Sequence, residues 1–186
     1  MSKPRIADLR RAEILKAFEK CIRRGGIEAT TVQEVANAAG VQRTLINHYF
    51  GDKQALIAAL IRQIVATSTR DFVSSLRDDE PISVGVELIF GRKMDRTGNL
   101  IGALRASSLD DHATRKLLRE MYENFETVLC DYLMRQVPGA AESQCRAVSF
   151  SIMCLAAGAS RITAVGFGRE RRSEAAKAAK SLVMNL

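Results

Sequence analysis

Apolar residues recur every three to four positions along most of this chain, which is the spacing that places them on one face of an α-helix. The first such segment runs from Ile6 to Ile22, and Gly25–Gly26 is expected to end the helix. The chain of 186 residues contains only 3 prolines, and runs that alternate apolar and polar residues are scarce. The pattern therefore predicts an all-α fold.

Further helices are predicted along the rest of the chain, separated by residues that favour turns. A long helix from Lys53 to about Leu76 would extend roughly 36 Å, which is enough to connect two domains. Breaks are expected at Arg77–Pro81 and at Pro138–Gly139. The other predicted segments are a flexible basic arm at 1–5, a polar loop at Gly91–Asn99, and helices at Ile82–Phe90, Leu100 to about Leu109, His112–Gln136, Ala141 to about Val165 and Glu170–Met184.

Two short predicted helices between Thr31 and Phe50 are joined by a tight turn. Thr31 and Glu34 have the spacing of a capping box, so the first of these helices should begin there. Gly40 stands where the chain needs a residue that tolerates a positive φ, and Ile46 with Phe50 continues the apolar pattern beyond it. Short helices packed around a glycine turn are the layout of a DNA-binding helix-turn-helix.

The charge distribution agrees with a polyanionic partner for this motif. The chain has a formal net charge of +7. Residues 1–63 carry 11 Lys or Arg against 6 Asp or Glu, whereas residues 64–186 carry 17 against 15. Excess positive charge is thus concentrated around the motif, as expected for a nucleic-acid contact. A basic segment can also be merely a solvated surface, so the charge supports the motif without replacing it.

The cysteines, the apolar segments and the histidine content indicate which classes of protein are disfavoured. The four cysteines lie far apart without paired metal-ligand spacing, so they are predicted to be buried, reduced thiols, and no metal or cofactor is expected. The charged N-terminus lacks a signal-peptide core, and the apolar run Phe150–Ala159 is too short to span a membrane. A cytoplasmic protein is therefore predicted. An enzyme is disfavoured, because the sequence has 2 His, no His/Asp/Glu constellation and no Gly-rich phosphate loop.

Helical geometry predicts which side chains of the second short helix face DNA. With Ile46 in the core, Phe50 and Gln42 lie within about 40° of it, whereas Thr44 and His48 point away. Leu45 and Asn47 flank that outward face, and Arg43 lies in the first turn. Tyr49, Lys53 and Thr31 are placed for phosphates. The candidate DNA contacts are Thr31, Gln42, Arg43, Thr44, Leu45, Asn47, His48, Tyr49 and Lys53.

The segment Thr31–Lys53 resembles the TetR family of bacterial transcription regulators. The resemblance rests on an N-terminal helix ending near Gly25–Gly26, the run T-T-V-x-E-V-A-x-A-A-G-V, Tyr49–Phe50, and Lys53 followed by Q-A-L, and it covers about residues 8–60. Residues Met121–Pro138 resemble the choline-responsive repressor subgroup. Three positions depart from the family pattern, namely Gln42 at a usual cap, Asn47 at a usual Tyr, and the loop Gly51–Asp52.

The resemblance implies a helix-turn-helix domain at residues 1–60, joined by a long helix to a helical-bundle domain for ligand sensing and dimerisation at 61–186. It also implies that the last two helices form a four-helix bundle with a second copy, and that the second domain holds an effector cavity. An arginine on an apolar helix, Arg105 or Arg161, hints at an acidic ligand or at a salt bridge between subunits. The candidate cavity residues are Met121, Phe125, Leu129, Phe150, Met153 and Arg161.

The leading hypothesis from the sequence is a transcriptional regulator, most often a repressor in this family. It would bind a palindromic operator in double-stranded DNA as a homodimer and be released by a small-molecule effector of unknown identity. The alternative is a helix-turn-helix protein that binds DNA or another partner without a small-molecule effector.

Overall fold

The computed structural model describes residues 6–91, 98, 100–103 and 112–186. Their regular secondary structure is helical, which confirms the predicted all-α class. The basic arm at 1–5 and most of the predicted 91–99 loop and 100–109 helix, including Arg105, lie outside the described residues. The helices are α1 (Ile6–Gly25), α2 (Val32–Ala39), α3 (Arg43–Phe50), α4 (Lys53–Ser75), α5 (Ile82–Ile89), α6 (His112–Gln136), α7 (Glu142–Ala164) and α8 (Arg169–Met184).

The chain divides into two compact units. The first contains the described residues up to Ile64, with Ala103 and 112–117, and the second contains those from Val65 to Gly102 and from Leu118 to Leu186. Helix α4 contributes residues to both units. The sequence did not anticipate that the first turns of α6 group with the first unit, because periodicity does not reveal tertiary neighbours.

The first unit is built around a small apolar core from α1, α2, α3 and the start of α4. The apolar side chains that these helices bury follow the predicted helical period, because i, i+3 and i+4 positions share a face. The core of this unit comprises Ile14, Leu15, Phe18, Cys21, Ile22, Val35, Ala36, Ile46, Phe50, Leu56, Ile57, Leu60 and Ile61.

Both ends of α2 form as the sequence predicts. The Thr31 hydroxyl accepts a hydrogen bond from the backbone N–H of Glu34 at 3.2 Å, and the Glu34 carboxylate accepts one from the Thr31 N–H at 2.8 Å. This reciprocal pair is a capping box. Gly40 ends α2 with φ of 66° and ψ of 34°, a left-handed conformation that glycine adopts without steric cost. Helix α2 is thereby capped at both of its ends.

The second unit has its own core, formed by α5, α6, α7, α8 and the end of α4. Arg172 of α8 donates hydrogen bonds to the carbonyl oxygens of Phe90 and Gly91 at 2.6 and 3.0 Å, and so ties α8 to the end of α5. The fully buried members of this core are Phe72, Val86, Ile89, Phe90, Leu129, Cys130, Tyr132, Leu133, Cys145, Ile152, Ala179 and Val183.

One expectation about the cysteines is wrong. Cys154 is exposed, whereas Cys21, Cys130 and Cys145 are buried as predicted. Helix α7 is longer than the apolar run seen in the sequence, and by length and composition alone it could cross a membrane. It also buries Cys145 and Ile152 in the core. A core helix of a globular unit can have the same length and apolar composition as a membrane-spanning helix.

Candidate nucleic-acid interface and inner cavity

Helix α3 turns two apolar side chains inward and its polar side chains outward. Ile46 is 1% exposed and Phe50 is 9% exposed, so they anchor the helix to the core. Thr44, Asn47 and His48 are exposed on the opposite side, as the helical projection predicts. Leu45 is half-buried beside them. The exposed side of α3 therefore presents hydroxyl, amide and imidazole groups that can hydrogen-bond to base edges in a major groove.

Gln42 does not follow the helical projection. It is the residue before α3, with an extended backbone at φ of −76° and ψ of 145°, and its side chain is exposed. The 100° rotation per residue applies only inside a helix, which begins at Arg43, so the predicted proximity of Gln42 to the Ile46 side is wrong. Its exposure leaves it available to DNA, together with the exposed Arg43.

Helix α3 is held at its end by Arg11 of α1. The Arg11 guanidinium donates a hydrogen bond to the Tyr49 carbonyl oxygen and lies 4.5 Å from the centre of the Phe50 ring. These contacts combine a charge-assisted hydrogen bond at the C-terminus of the helix with a cation–π interaction. Arg11 is not among the candidate residues that the sequence pattern predicted. A partly buried arginine between two helices is not distinguishable from a solvated one by periodicity.

The predicted phosphate contacts are partly engaged within the protein. The Lys53 ammonium lies 3.4 Å from the Glu28 carbonyl oxygen, which occupies one of its three donors. The Asp52 carboxylate accepts the Ala55 N–H at 2.7 Å, so one of the backbone donors expected at the start of α4 is already used. Tyr49 is half-buried, and its ring lies 5.4 Å from that of His48.

Thr31 is exposed, but its hydroxyl belongs to the capping box. The hydrogen bonds from the Thr31 backbone and hydroxyl hold the pKa of Glu34 below its usual value, with smaller contributions from the positive charges of Arg24 and Lys53. A negatively charged Glu34 beside Thr31 opposes a phosphate at that position. We therefore regard Thr31 first as a helix cap and second as a DNA contact.

Arg10 is a candidate contact that the sequence pattern did not reveal. A shallow depression on the first unit is lined by Arg10 of α1 with Gly40, Val41, Gln42, Thr44, Leu45 and His48. The Arg10 guanidinium is exposed and pairs with Glu13 at 2.8 Å, a surface pair of small energetic consequence. The signal that could have identified Arg10 is its position on α1 next to Arg11 in the basic segment.

The second unit contains an apolar cavity of about 110 Å³. Four of the predicted residues line it, namely Met121, Phe125, Met153 and Arg161. Leu129 is fully buried in the core instead, and Phe150 is 57% exposed on the outside of α7, so neither lines this cavity. The remaining lining residues are Ile89, Gly98, Ile101, Gly102, Tyr122, Ala156, Ala157 and Ser160.

A second face of α7 forms an apolar groove with α8. This groove is open to the outside of the unit, and it combines large exposed apolar side chains with small residues. Among the residues the structure describes, no group of three metal-ligating side chains comes together here or elsewhere. The groove is lined by Phe150, Ser151, Cys154, Leu155, Gly158, Ala159, Ile162, Phe167, Arg171, Glu174, Ala175, Ala178 and Leu182.

Comparisons with known proteins agree with this geometry. The family model for bacterial regulatory proteins of the tetR family matches residues 14–60, which include α2 and α3. The HTH-type transcriptional regulator BetI 2 of Chromohalobacter salexigens is 32% identical over 155 residues, covering 75% of this chain and 72% of that protein. This chain belongs to the TetR family.

Two further similarities cover different shares of this TetR-family chain. The HTH-type transcriptional regulator BetI of Burkholderia cenocepacia is 32% identical over 82 residues, which cover 42% of each chain. The crystal structure of a TetR-family transcriptional regulator from Cytophaga hutchinsonii matches with a TM-score of 0.81 at 16% identity, covering 100% of this chain and 98% of that one. The structural match supports the fold, and the sequence matches identify a transcriptional regulator with a helix-turn-helix DNA-binding domain.

Proposed function

We propose that this protein is a ligand-responsive transcriptional repressor that binds a palindromic operator as a homodimer and is released by a small-molecule effector. The observation that carries the proposal is the separation of two surfaces within one chain. The exposed side of α3 belongs to the first unit, and the apolar cavity belongs to the second. We assign DNA binding to residues 1–60 and effector sensing with dimerisation to 61–186.

The proposed dimer uses the groove between α7 and α8. Phe150 and Phe167 are 57% and 55% exposed, and small residues such as Gly158 and Ala159 lie between them. Large exposed apolar patches mark interaction sites, and a surface that pairs with its own copy is the usual solution in symmetric dimers. A dimer also supplies the second half-site contact that one short reading helix lacks.

The proposed switch is a two-state equilibrium. The DNA-binding state spaces its two α3 helices about one turn of B-DNA apart, and the effector-bound state does not. Helix α7 lines the cavity with one face and the α8 groove with another. A ligand in the cavity can therefore bias how two copies pair. Because the coupling is reciprocal, operator DNA must weaken effector binding by the same factor.

The DNA contacts are tested with an operator selected in vitro and measured by band shift. Arg43→Ala and Asn47→Ala remove groups offered to base edges, and each is expected to weaken binding by about 1–3 kcal/mol and to relax specificity at one position. Lys53→Ala removes a phosphate contact, so it is expected to weaken all sequences about equally and to reduce the salt dependence of log K by about one.

The matched control is Arg62→Ala, which removes an exposed positive charge of α4 outside the proposed surface. It should leave affinity and salt dependence nearly unchanged. Sequence-specific binding that survives in both Arg43→Ala and Lys53→Ala would show that the contacts are assigned to the wrong residues. Operator binding that no metabolite in a broad panel releases would favour a regulator without a small-molecule effector.

A further inference from the structure

We propose that the inner cavity takes a compact, mostly apolar molecule with one anionic group, such as a small aromatic or aliphatic monocarboxylate. This inference rests on the proposed function, because it names the chemical class of the effector at the proposed site. The lining residues of the cavity include an apolar set and a polar set, and each set restricts the ligand in a different way.

Most of the residues that line the cavity are apolar, and they restrict the size and polarity of the ligand. Ile89, Ile101, Met121, Phe125 and Met153 contribute aliphatic, thioether and aromatic surface. Met121 is 1% exposed, and its side chain offers nothing to a charged group. The volume of about 110 Å³ admits a small ring or a short chain. Methionine side chains adapt to irregular ligands and contact aromatic rings favourably.

Among the described residues, the polar side chains that line the cavity are those of Tyr122, Ser160 and Arg161. Arg161 is exposed, which places the guanidinium where the cavity meets solvent, and it forms no hydrogen bond or ion pair with any residue that the structure describes. Ser160 is 5% exposed, and its hydroxyl has no hydrogen-bond partner among the described residues either. A planar guanidinium in a lining that also contains hydroxyl donors matches a carboxylate, which accepts two parallel hydrogen bonds from arginine.

The same residues disfavour a cationic ligand. No Asp or Glu lies among the described residues that line the cavity. Among the described lining residues, a quaternary ammonium would find the positive charge of Arg161 and, as favourable electrostatic partners, the aromatic rings of Tyr122 and Phe125. The similarity of Met121–Pro138 to the choline-responsive subgroup therefore does not extend to the charge of the ligand.

The experiment measures ligand binding to the full chain by isothermal titration calorimetry and thermal shift. The probes are benzoate and hexanoate, their neutral counterparts benzamide and hexanamide, and choline. We expect at least one carboxylate to bind about tenfold or more tightly than its amide, because a hydrogen bond to a charged group contributes more than a neutral one. Choline is expected to produce no saturable binding.

Two substitutions of Arg161 and one control test whether its guanidinium binds the carboxylate. Arg161→Gln is expected to weaken carboxylate binding by about 10- to 100-fold while amide binding changes little, and Arg161→Lys should retain most of it. The control Arg119→Gln removes an exposed charge of α6 outside the cavity and should have no effect. Equal carboxylate binding by Arg161→Gln and the unsubstituted chain overturns the proposal, as does preferential binding of an amide or of choline.

The ligand class and the proposed function fail in different ways. If a carboxylate binds through Arg161 without releasing operator DNA, the ligand class stands and the effector-responsive mechanism is wrong. If choline or a neutral molecule binds and releases DNA, the mechanism stands and the anionic class is wrong. Absence of binding by every carboxylate in the panel also overturns the ligand class, whatever the DNA measurement shows.

Discussion

Single residues determine how closely the helices of the second unit can approach. Gly85 of α5 faces Tyr132 of α6, and a Cβ added at Gly85 would lie 2.8 Å from the Tyr132 hydroxyl oxygen and 2.9 Å from a ring carbon. Tyr132 is fully buried, and burial raises the pKa of its hydroxyl. The ring therefore has little room to move, and glycine is required here by packing and not by backbone conformation.

Gly85→Ala should destabilise the protein although alanine is the better helix former by about 1 kcal/mol. Overpacking in a close-packed core costs about 1–3 kcal/mol, which exceeds that gain. Urea unfolding at one fixed protein concentration measures the difference. Gly25→Ala is the control, because nothing lies within 4 Å of a Cβ added at the end of α1. A Gly85→Ala variant more stable than the original would show that the Tyr132 contact relaxes freely.

At the scale of elements, the capping box at the start of α2 is expected to make the stability of the first unit depend on pH. The capping box joins the Glu34 carboxylate to the Thr31 N–H, and this hydrogen bond is the largest cause of the lowered pKa of Glu34. A carboxylate whose folded-state pKa lies below its unfolded value stabilises the fold above the unfolded value. The ordinary pKa of a glutamate carboxyl is 4.5. The stability that the capping-box carboxylate contributes is lost as the pH falls below that value and then through the lower pKa of the folded state.

Glu34→Gln should therefore reduce the loss of unfolding free energy that the first unit shows as the pH falls. The measurement is the urea midpoint of the helical circular dichroism signal between pH 3 and 7, compared with Glu28→Gln, an exposed carboxylate outside the cap. The unsubstituted chain and Glu28→Gln should lose more stability on acidification than Glu34→Gln does. Equal slopes for all three would mean that the capping box does not respond to the charge of Glu34.

The elements themselves were largely predictable because their signals are local. Capping-box spacing, a glycine for a left-handed turn and the Pro138–Gly139 break each act through neighbouring residues, and α2, α3 and α6 begin or end where these signals predict. The outward side of α3 followed from the inward anchor at Ile46. The error at Gln42 arose because the helix begins one residue later than the projection assumed.

The cavity residues were less predictable because they depend on which helices meet. Phe150 and Met153 are both apolar positions of α7, three residues apart, yet Met153 lines the cavity and Phe150 lies on the exterior. Leu129 and Phe125 are one turn apart on α6, yet only Phe125 reaches the cavity. Helical period identifies apolar positions but does not say which neighbour each one contacts. Arg11 and Arg10 were missed for the same reason.

At the scale of the whole molecule, α7 has three roles that one amphipathic stripe could not fill. It buries Cys145 and Ile152 in the core, lines the cavity with Met153 and Ala157, and exposes Phe150 in the groove with α8. Apolar residues on several faces of one helix explain why it resembles a membrane span by composition. They also place the proposed dimer surface and the proposed effector site on a single rigid element.

Phe150→Arg tests whether that outer face pairs two copies of the chain. An arginine in a two-fold apolar contact puts two unpaired charges next to each other, and burying one unpaired charge already costs several kcal/mol. We expect a change from dimer to monomer in analytical ultracentrifugation at micromolar concentration, with helical content unchanged. Operator affinity should fall to that of a half-site, while binding of a cavity ligand should remain.

Val73→Arg is the matched control, since Val73 is also an exposed apolar residue, 49% exposed on α4, but lies outside the groove. It should leave the dimer intact. A Phe150→Arg variant that sediments as a dimer would assign the pairing surface elsewhere.

Cys154 provides an independent test of the same contact, because it lies in the groove and its thiol is exposed in a single chain. Its reaction with a maleimide should be slow in the original protein and fast in Phe150→Arg, whereas equal rates in both would mean that the groove is uncovered in the dimer.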